Sequence, residues 1–319
     1  MSSSDKPAVS VVIPLYNKRA LVRRAVESVL LQDARGVELI IVDDGSTDGS
    51  AEALEELASA PGVRLIWQPN AGEGAARNRG IAEARADLIA FLDADDLFLD
   101  GHLSALLALA AADPAAGLLA TGYFYDYPDG PRQAASCGAR GVGRIDYIEL
   151  LARGLFPLHV SSSAVRAAVI GDTGPFLAGE PLGADLEFFV RVALQYPVAL
   201  DPRPSAVYRF GVADSALTIA RWKPLLPPAI RYLRSQLSRG RVSAAMAPSA
   251  RNYVCTATMK YAAAGIAKGA CADAVALLSE VRPETLAHRL RKAVLLGAAR
   301  LLPGPAVSAY LSLRQWMVR

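Results

Sequence analysis

Four short apolar runs, Val9–Ile13, Val37–Val42, Val63–Trp67 and Leu88–Leu92, alternate with stretches whose apolar residues recur at helical spacing. After the first run, Leu21, Val22, Ala25, Val26, Val29 and Leu30 line one helical face, and residues 50–58 and 75–85 repeat the pattern. Such β-α-β repetition predicts a mostly parallel sheet, because parallel neighbours need a crossover connection. The runs are rich in Val, Ile and Leu with no regular alternation of polar residues, so both faces of the sheet are expected to be covered by helices. The fold class is therefore Rossmann-like α/β, in which ligands bind at the carboxyl ends of the strands. Three of those ends carry distinctive residues: Pro14-Leu15-Tyr16-Asn17, Asp43-Asp44-Gly45-Ser46, and Asp93-Ala94-Asp95-Asp96.

The last of these constrains the chemistry. Three carboxylates within four residues repel one another, and a divalent cation would neutralise them; carboxylate oxygens are hard ligands suited to Mg2+ or Mn2+. The competing reading is a helix start, since Asp caps helices well and helical spacing follows over His102–Ala112. That accounts for one Asp, not three.

The chain has 319 residues, of which 52% are hydrophobic, enough for one large domain or a core domain with an appendage. Its net charge of +3 conceals an asymmetry: residues 221–319 hold 16 Lys/Arg against 3 Asp/Glu, and the preceding residues hold 18 against 28. A basic tail rich in Leu and Ala is expected to meet an anionic surface, either lipid headgroups or an acidic partner, or else to present a solvated helical face. Its basic residues are interleaved with apolar helical spacing and bring no reader motif, which argues against nucleic acid. Cys137, Cys255 and Cys271 are too scattered for a disulfide framework or zinc site and suit a reducing compartment. The first residues lack the charged and apolar regions of a signal peptide. The most apolar late stretch, Ala293–Leu313, is interrupted by Arg300 and Pro303-Gly304-Pro305, so no uninterrupted membrane span is expected.

Beyond residue 117 the pattern loosens. A strand is expected over Leu118–Tyr125, a turn at Pro128-Asp129-Gly130, a helix over Leu186–Leu194, a short strand over Val198–Leu200, and helices from Trp222 onward. The segment Asn70-Ala71-Gly72-Glu73-Gly74-Ala75-Ala76-Arg77 approaches a dinucleotide-binding loop, but Arg77 stands where the third glycine belongs and no acidic residue follows at the next strand end. Its glycines allow close backbone approach, and Arg77 offers a planar fork to phosphate or base.

The order of these segments carries more than each alone. Pro14-Leu15-Tyr16-Asn17, Val42-Asp43-Asp44-Gly45-Ser46-Thr47-Asp48, Gly74-Ala75-Ala76-Arg77-Asn78-Arg79-Gly80 and Phe91-Leu92-Asp93-Ala94-Asp95-Asp96 together closely resemble the family 2 glycosyltransferases of the GT-A fold. The resemblance is dense over residues 8–115 and continues in patches to about 218, through Ser161-Ser162-Ser163-Ala164-Val165-Arg166, Gly174-Pro175-Phe176 and Tyr208-Arg209. It implies a flexible N-terminus at 1–7, a GT-A domain at 8–218 and a basic helical region at 219–319. Within the domain, 8–115 would be the nucleotide-sugar half and 116–218 the acceptor half.

The resemblance further implies that Pro14, Tyr16 and Asp44 hold the nucleobase and ribose with Arg77 close by, and that Asp93, Ala94 and Asp95 form the D-x-D motif. Asp95 is expected on the metal, with Asp93 toward the sugar or ribose and also counted as a metal ligand. The implied cofactors are Mn2+ or Mg2+ and a nucleotide-sugar donor, a UDP-sugar by analogy. A general base commonly lies in a Gly-Glu-Asp segment about one turn before an arginine; here Gly183-Ala184-Asp185 precedes Arg191, making Asp185 the candidate although Ala184 replaces the Glu. A second departure is the absence of a histidine in Tyr208-Arg209-Phe210-Gly211-Val212-Ala213-Asp214-Ser215. The implied activity is inverting transfer of a sugar to a hydroxyl on a saccharide or lipid-linked acceptor in cell-surface glycan assembly. The implied place is the cytoplasm, with peripheral attachment to the inner face of a membrane left open.

Two other readings remain. A degenerate domain of the same fold would bind nucleotide or a partner without turnover, as Ala184 and the missing histidine allow. A haloacid-dehalogenase-like phosphatase also ends a strand in D-x-D, but its pattern wants Thr or Val where this chain has Leu97, and it uses the first strand rather than the fourth.

Overall fold

The computed structural model describes residues 6–180, 182–210 and 222–301. It divides into two compact units, residues 1–150 with 155–218 and residues 151–154 with 219–319. The expected boundary at 218/219 and residues 1–5 of the expected flexible terminus lie outside the described residues.

The first unit is built on a ten-stranded sheet. Its first half alternates as the apolar runs require: β1 (Val9–Leu15), α1 (Val22–Leu30), β2 (Val37–Asp43), α2 (Glu55–Ala58), β3 (Val63–Trp67), α3 (Glu73–Glu83) and β4 (Leu88–Phe91). There follow β5 (Leu97–Phe98), α4 (His102–Ala112), β6 (Leu118–Asp126), β7 (Gln133–Ala134), β8 (Gly143–Ile145), α5 (Tyr147–Ala152), β9 (Ser163–Arg166), α6 (Ala167–Thr173), α7 (Ala184–Ala193) and β10 (Val198–Arg209). The main path runs β3-β2-β1-β4-β9-β6-β10-β5. β1 pairs in parallel with both β2 and β4, and β6 with β10; β9 runs antiparallel between β4 and β6. Six strands thus share one direction, with β9 reversed among them and β5, β7 and β8 reversed at the margins, the mostly parallel arrangement expected.

Alternation along the central strands buries apolar side chains on both faces of the sheet. Val9, Val11, Ile13 and Leu15 pack with Leu39, Ile41 and the buried face of α1, Val22, Ala25, Val26 and Val29. Ile40 and Val42 point to the other face and meet Ala76 of α3. Each such Val, Leu or Ile side chain, removed from water, contributes about 1.5–3 kcal/mol. On that second face Gly80 lets α3 lie directly on β1, since a Cβ there would stand 2.3 Å from Val12 Cγ1.

Several local expectations change. The helix expected over 50–58 is reduced to a 3-10 turn, Glu52–Leu54, and the single turn of α2, because Pro61-Gly62 ends it and only Leu54 is buried to hold it. The Ser46 hydroxyl accepts the Asn17 N–H at 3.1 Å. The strand expected at 198–200 continues to Arg209, passing Pro202 and Pro204 through register shifts between Asp201 and Ala206 that remove the need for ladder donors. β9, which bridges the parallel strands, lies in a Ser-rich segment with no apolar run.

The second unit contains four helices among the described residues: α8 (Pro228–Ser238), α9 (Ala247–Ala267), α10 (Cys271–Ser279) and α11 (Leu286–Leu301). Its interior is formed by Ile230, Leu233, Ala250, Met259, Ala262, Ile266, Ala274 and Leu278. Trp222 stacks on Tyr261, with centroids 5.5 Å apart, and its indole N–H donates to the Tyr261 carbonyl at 3.1 Å. No helix among the described residues is long and apolar enough to cross a membrane.

Candidate active site

Because β1, β2 and β4 are adjacent and parallel, their carboxyl ends open on one edge, and hydrogen bonds join the loops there. The Asp44 N–H donates to the Leu15 carbonyl at 2.8 Å, the Thr47 N–H to Asn17 Oδ1 at 2.8 Å, and the Lys18 N–H to Ser50 Oγ at 2.9 Å. Pro14 is buried opposite Val42, and Tyr16 beyond it is 48% exposed. A half-open ring at a strand end is available for stacking.

Asp44 is buried and already heavily used. Its oxygens accept Gln68 Nε2 at 2.6 Å and the N–H groups of Ala71 and Gly72 at 2.9 and 2.8 Å. It therefore shapes the loop that enters α3, and a two-oxygen carboxylate retains about one further acceptor position. Gly74, expected to bring backbone near a ligand, instead makes a close approach within the protein: a Cβ would lie 2.4 Å from the Leu177 carbonyl oxygen.

The acidic run is partly neutralised from within the chain. Lys18 Nζ lies 2.9 Å from Asp95 Oδ2. Arg77 Nη2 donates to Asp93 Oδ1 at 2.6 Å and to Glu73, while its guanidinium sits 5.4 Å from the Phe176 ring centre. Arg77 is 3% exposed and its Nε is buried without a hydrogen-bond partner. Burial opposes its charge, but Glu73, Asp93 and Asp185 outweigh that and raise its pKa further. Glu73 is raised by burial and by Asp93, Asp185 and Asp95 against the pull of Arg77; half its side chain remains open, which moderates the rise. Ala94 turns its methyl into the core, leaving only its backbone toward a ligand.

Asp96, the third acid, is fully buried. It accepts the Ser161 hydroxyl at 2.5 Å and the Arg209 N–H at 2.9 Å, and Ser161 Oγ in turn accepts the Asp93 N–H at 3.0 Å. Burial first, then the charges of Asp93 and Asp95, push its carboxyl well above the usual carboxylate range. His159 stands beside it, Nδ1 3.6 Å from Asp96 Oδ2, with its ring stacked on Tyr208 at 4.1 Å. Nδ1 accepts the Ser161 N–H at 3.2 Å, which places the proton of the neutral ring on Nε2. Burial lowers its pKa against the attraction of Asp93 and Asp185.

Asp93, Asp96 and His159 each present a ligand atom, all within 4.8 Å of one another. Hard carboxylate oxygens with one imidazole are a donor set that suits Mn2+ or Mg2+. Sequence reasoning misses His159 and does not assign Asp96 a role of its own. Asp96 is legible only as part of an acidic run, and His159 only by its place two residues before Ser161-Ser162-Ser163. The segment after Tyr208-Arg209-Phe210, in which a histidine is missing, lies outside the described residues.

Asp185 lies in the first turn of α7, whose N-cap is Gly183. It acts electrostatically on Glu73, Arg77 and His159, as Asp93 does. Nearly two turns on, Arg191 is a staple. It forms two 2.9 Å bonds with Glu187 and donates to the carbonyls of Thr173, Gly174 and Pro175 at 2.7, 2.7 and 2.8 Å. That fixes Phe176, which stacks on Phe188 at 4.2 Å and is tied to Asn78 of α3 by two bonds, 2.8 and 2.9 Å.

Residues 10–168 match the model of the family described as glycosyl transferase family 2. The uncharacterized glycosyltransferase YibD of Escherichia coli K12 is 43% identical over 114 residues, 35% of this chain and 33% of that protein. The putative glycosyltransferase EpsH of Bacillus subtilis 168 is 39% identical over 107 residues, 33% of this chain and 31% of that protein. The matches thus span about a third of those relatives' length. Among solved structures, Staphylococcus aureus TarS 1-349 in complex with UDP-GlcNAc superposes with a TM-score of 0.66 at 16% identity, covering 91% of this chain and 90% of that one. The mannosyltransferase PcManGT from Pyrobaculum calidifontis, in complex with GDP-Man and Mn2+, gives 0.58 at 22% identity, covering 93% and 87%. Through residues 10–168 the chain belongs to glycosyl transferase family 2, and its fold is GT-A.

Proposed function

We propose that the protein is an inverting glycosyltransferase that moves one sugar from a nucleoside-diphosphate donor to an acceptor hydroxyl in a single in-line displacement. The observation that carries this reading is the convergence on one edge of the sheet of Asp93, Asp95, Asp96, Arg77 and, from α7, Asp185. A donor would lie along the ends of β1, β2 and β4, its base against Tyr16, Pro14 and the remaining acceptor of Asp44, with Arg77, Asp93 and Ala94 beside the ribose and phosphates. Asp93 and Asp95 are the metal ligands the family resemblance implies, and Asp96 with His159 extends that donor set. A divalent cation held there supplies charge to offset the negative charge that grows on a departing diphosphate.

Asp185 would take the proton of the acceptor hydroxyl, which is a poor nucleophile at neutral pH without a base. TarS and PcManGT are described with uridine and guanosine donors respectively, so the default of a UDP-sugar rests on the family analogy. The acceptor is a saccharide or lipid-linked saccharide in cell-surface glycan assembly, met on the cytoplasmic side of a membrane.

Titration calorimetry with UDP, GDP and dTDP, each with and without Mn2+, tests the reading. One nucleotide should bind with metal-dependent affinity that Asp95→Asn abolishes. Folded protein that binds none of them refutes it.

A further inference from the structure

The second unit ends, among the described residues, in a helix whose exposed face is apolar. On α11 the side chains of Leu286, Leu290 and Val294 recur every four residues and are 70%, 61% and 39% exposed. Exposed Ala287 and Ala293 flank them and Gly297 continues the line, so the stripe has no polar side chain within it. The opposite face is committed to the unit's interior: Leu295 and Ala298 are buried, and His288 Nε2 lies 3.2 Å from Thr256 Oγ1. Lys292 belongs to that inner side, its Nζ donating to the Val281 carbonyl at 2.8 Å.

The remaining cations edge the stripe. At 100° per residue, Arg289 and Arg300 fall along one margin and Arg291 along the other. No acid occurs in the helix. The two acids just before it are occupied, Glu280 by Arg234 at 2.8 Å and Glu284 by Arg251 at 3.5 Å. The sequence beyond it, residues 302–319, adds Tyr310, Trp316, Leu311, Leu313, Met317, Arg314 and Arg319, again without an acid.

We infer that this face of α11 docks on an anionic lipid bilayer, with Leu286, Leu290 and Val294 in the headgroup–acyl boundary and Arg289, Arg291 and Arg300 on lipid phosphates. An apolar stripe bordered on both sides by arginine is the pattern of a helix lying in the interface plane, and the guanidinium fork matches phosphate oxygens. Tyr and Trp in the following sequence are the aromatic residues that favour the same depth. The inference concerns the second unit alone and holds whether or not the transfer reading does.

The test is co-sedimentation of the full chain with vesicles of phosphatidylcholine alone or with about 30% phosphatidylglycerol, at low and raised salt. The protein should pellet with the anionic vesicles only and be released by salt. Leu286→Ser with Leu290→Ser, and separately Arg289→Gln with Arg291→Gln, should each weaken binding about tenfold or more. Circular dichroism should show an unchanged melting midpoint for both, because the four side chains are exposed. Equal binding to neutral vesicles, no binding, or variants that bind as the parent does would overturn the inference. So would a dimer, seen by light scattering, that Leu290→Ser dissociates, since a second copy would then be the occupant.

Discussion

Replacing Arg191 by Met would test how the candidate base is held in place. The guanidinium is 9% exposed, Glu187 is 3% exposed, and their two 2.9 Å bonds are joined by three more to the carbonyls of residues 173–175. Met fills similar volume but leaves a buried carboxylate without its cation and three carbonyls without a donor. Breaking one side of a buried pair costs about 3–5 kcal/mol. Against the roughly 5–15 kcal/mol of a typical domain, this is about a fifth or more of the total. Adding Glu187→Leu removes the stranded charge and should recover about half or more of that loss, the carbonyls alone remaining unpaired. Urea unfolding of the parent, both single variants and the double variant gives the coupling directly. Because Phe176 lies between this staple and Arg77, nucleotide affinity should fall with Arg191→Met. A single variant within about 1 kcal/mol of the parent, below the usual cost of stranding one buried charge, would refute the staple.

Three further outcomes follow from the same contacts. His102 is fully buried, Nδ1 2.9 Å from Ser205 Oγ, and burial brings its pKa from 6.5 down to about 3. The fold favours the neutral ring, so the stability this contributes is complete above pH 6.5 and is lost as pH falls toward 3. At pH 5 the loss is about 2 kcal/mol, which urea midpoints should show for the parent and not for His102→Gln. Gly80→Ala drives a methyl into Val12 and should cost about 1–3 kcal/mol by thermal melting, relieved by adding Val12→Ala. Asp185→Asn should slow sugar transfer about 10²–10⁴-fold while calorimetry shows nucleotide affinity unchanged; a variant of normal rate would remove Asp185 as the base.

The legible parts of the fold were those set by local pattern. Val9–Ile13 and Val37–Val42 read as covered parallel strands because both faces of each are apolar, and the polar strand ends then fell on one edge. What escaped depends on neighbours distant in sequence. β9 is a strand because β4 and β6 flank it, not because Ser163-Ala164-Val165-Arg166 has strand character. β10 tolerates two prolines only because its register shifts. Asp96 and His159 meet through the Ser161 hydroxyl and backbone, a relation that no spacing between residues 96 and 159 reveals.

The acidic run shows the same limit and leads to the sharpest expectation about the metal. Mutual repulsion of three carboxylates pointed to a divalent cation, yet Lys18 and Arg77 already stand on two of them, and burial with its neighbours' charge disfavours ionisation of the third. A cation that uses Asp95 must therefore displace the Lys18 ammonium, which the chain places 2.9 Å away with both groups mostly buried. Coulomb attraction at that distance, screened as in a partly buried pair, is worth about 1–2 kcal/mol net. Lys18→Met removes the competitor, so Mn2+ should bind the nucleotide-free protein about five- to thirtyfold more tightly, measured by the loss of free Mn2+ signal in electron paramagnetic resonance. The same variant loses a cation that can turn from Asp95 to the donor diphosphate once metal is in place, so nucleotide affinity at saturating Mn2+ should fall. Unchanged or weaker Mn2+ binding in Lys18→Met would show that Asp95 is not where the metal goes, and would leave Asp93, Asp96 and His159 as its ligands.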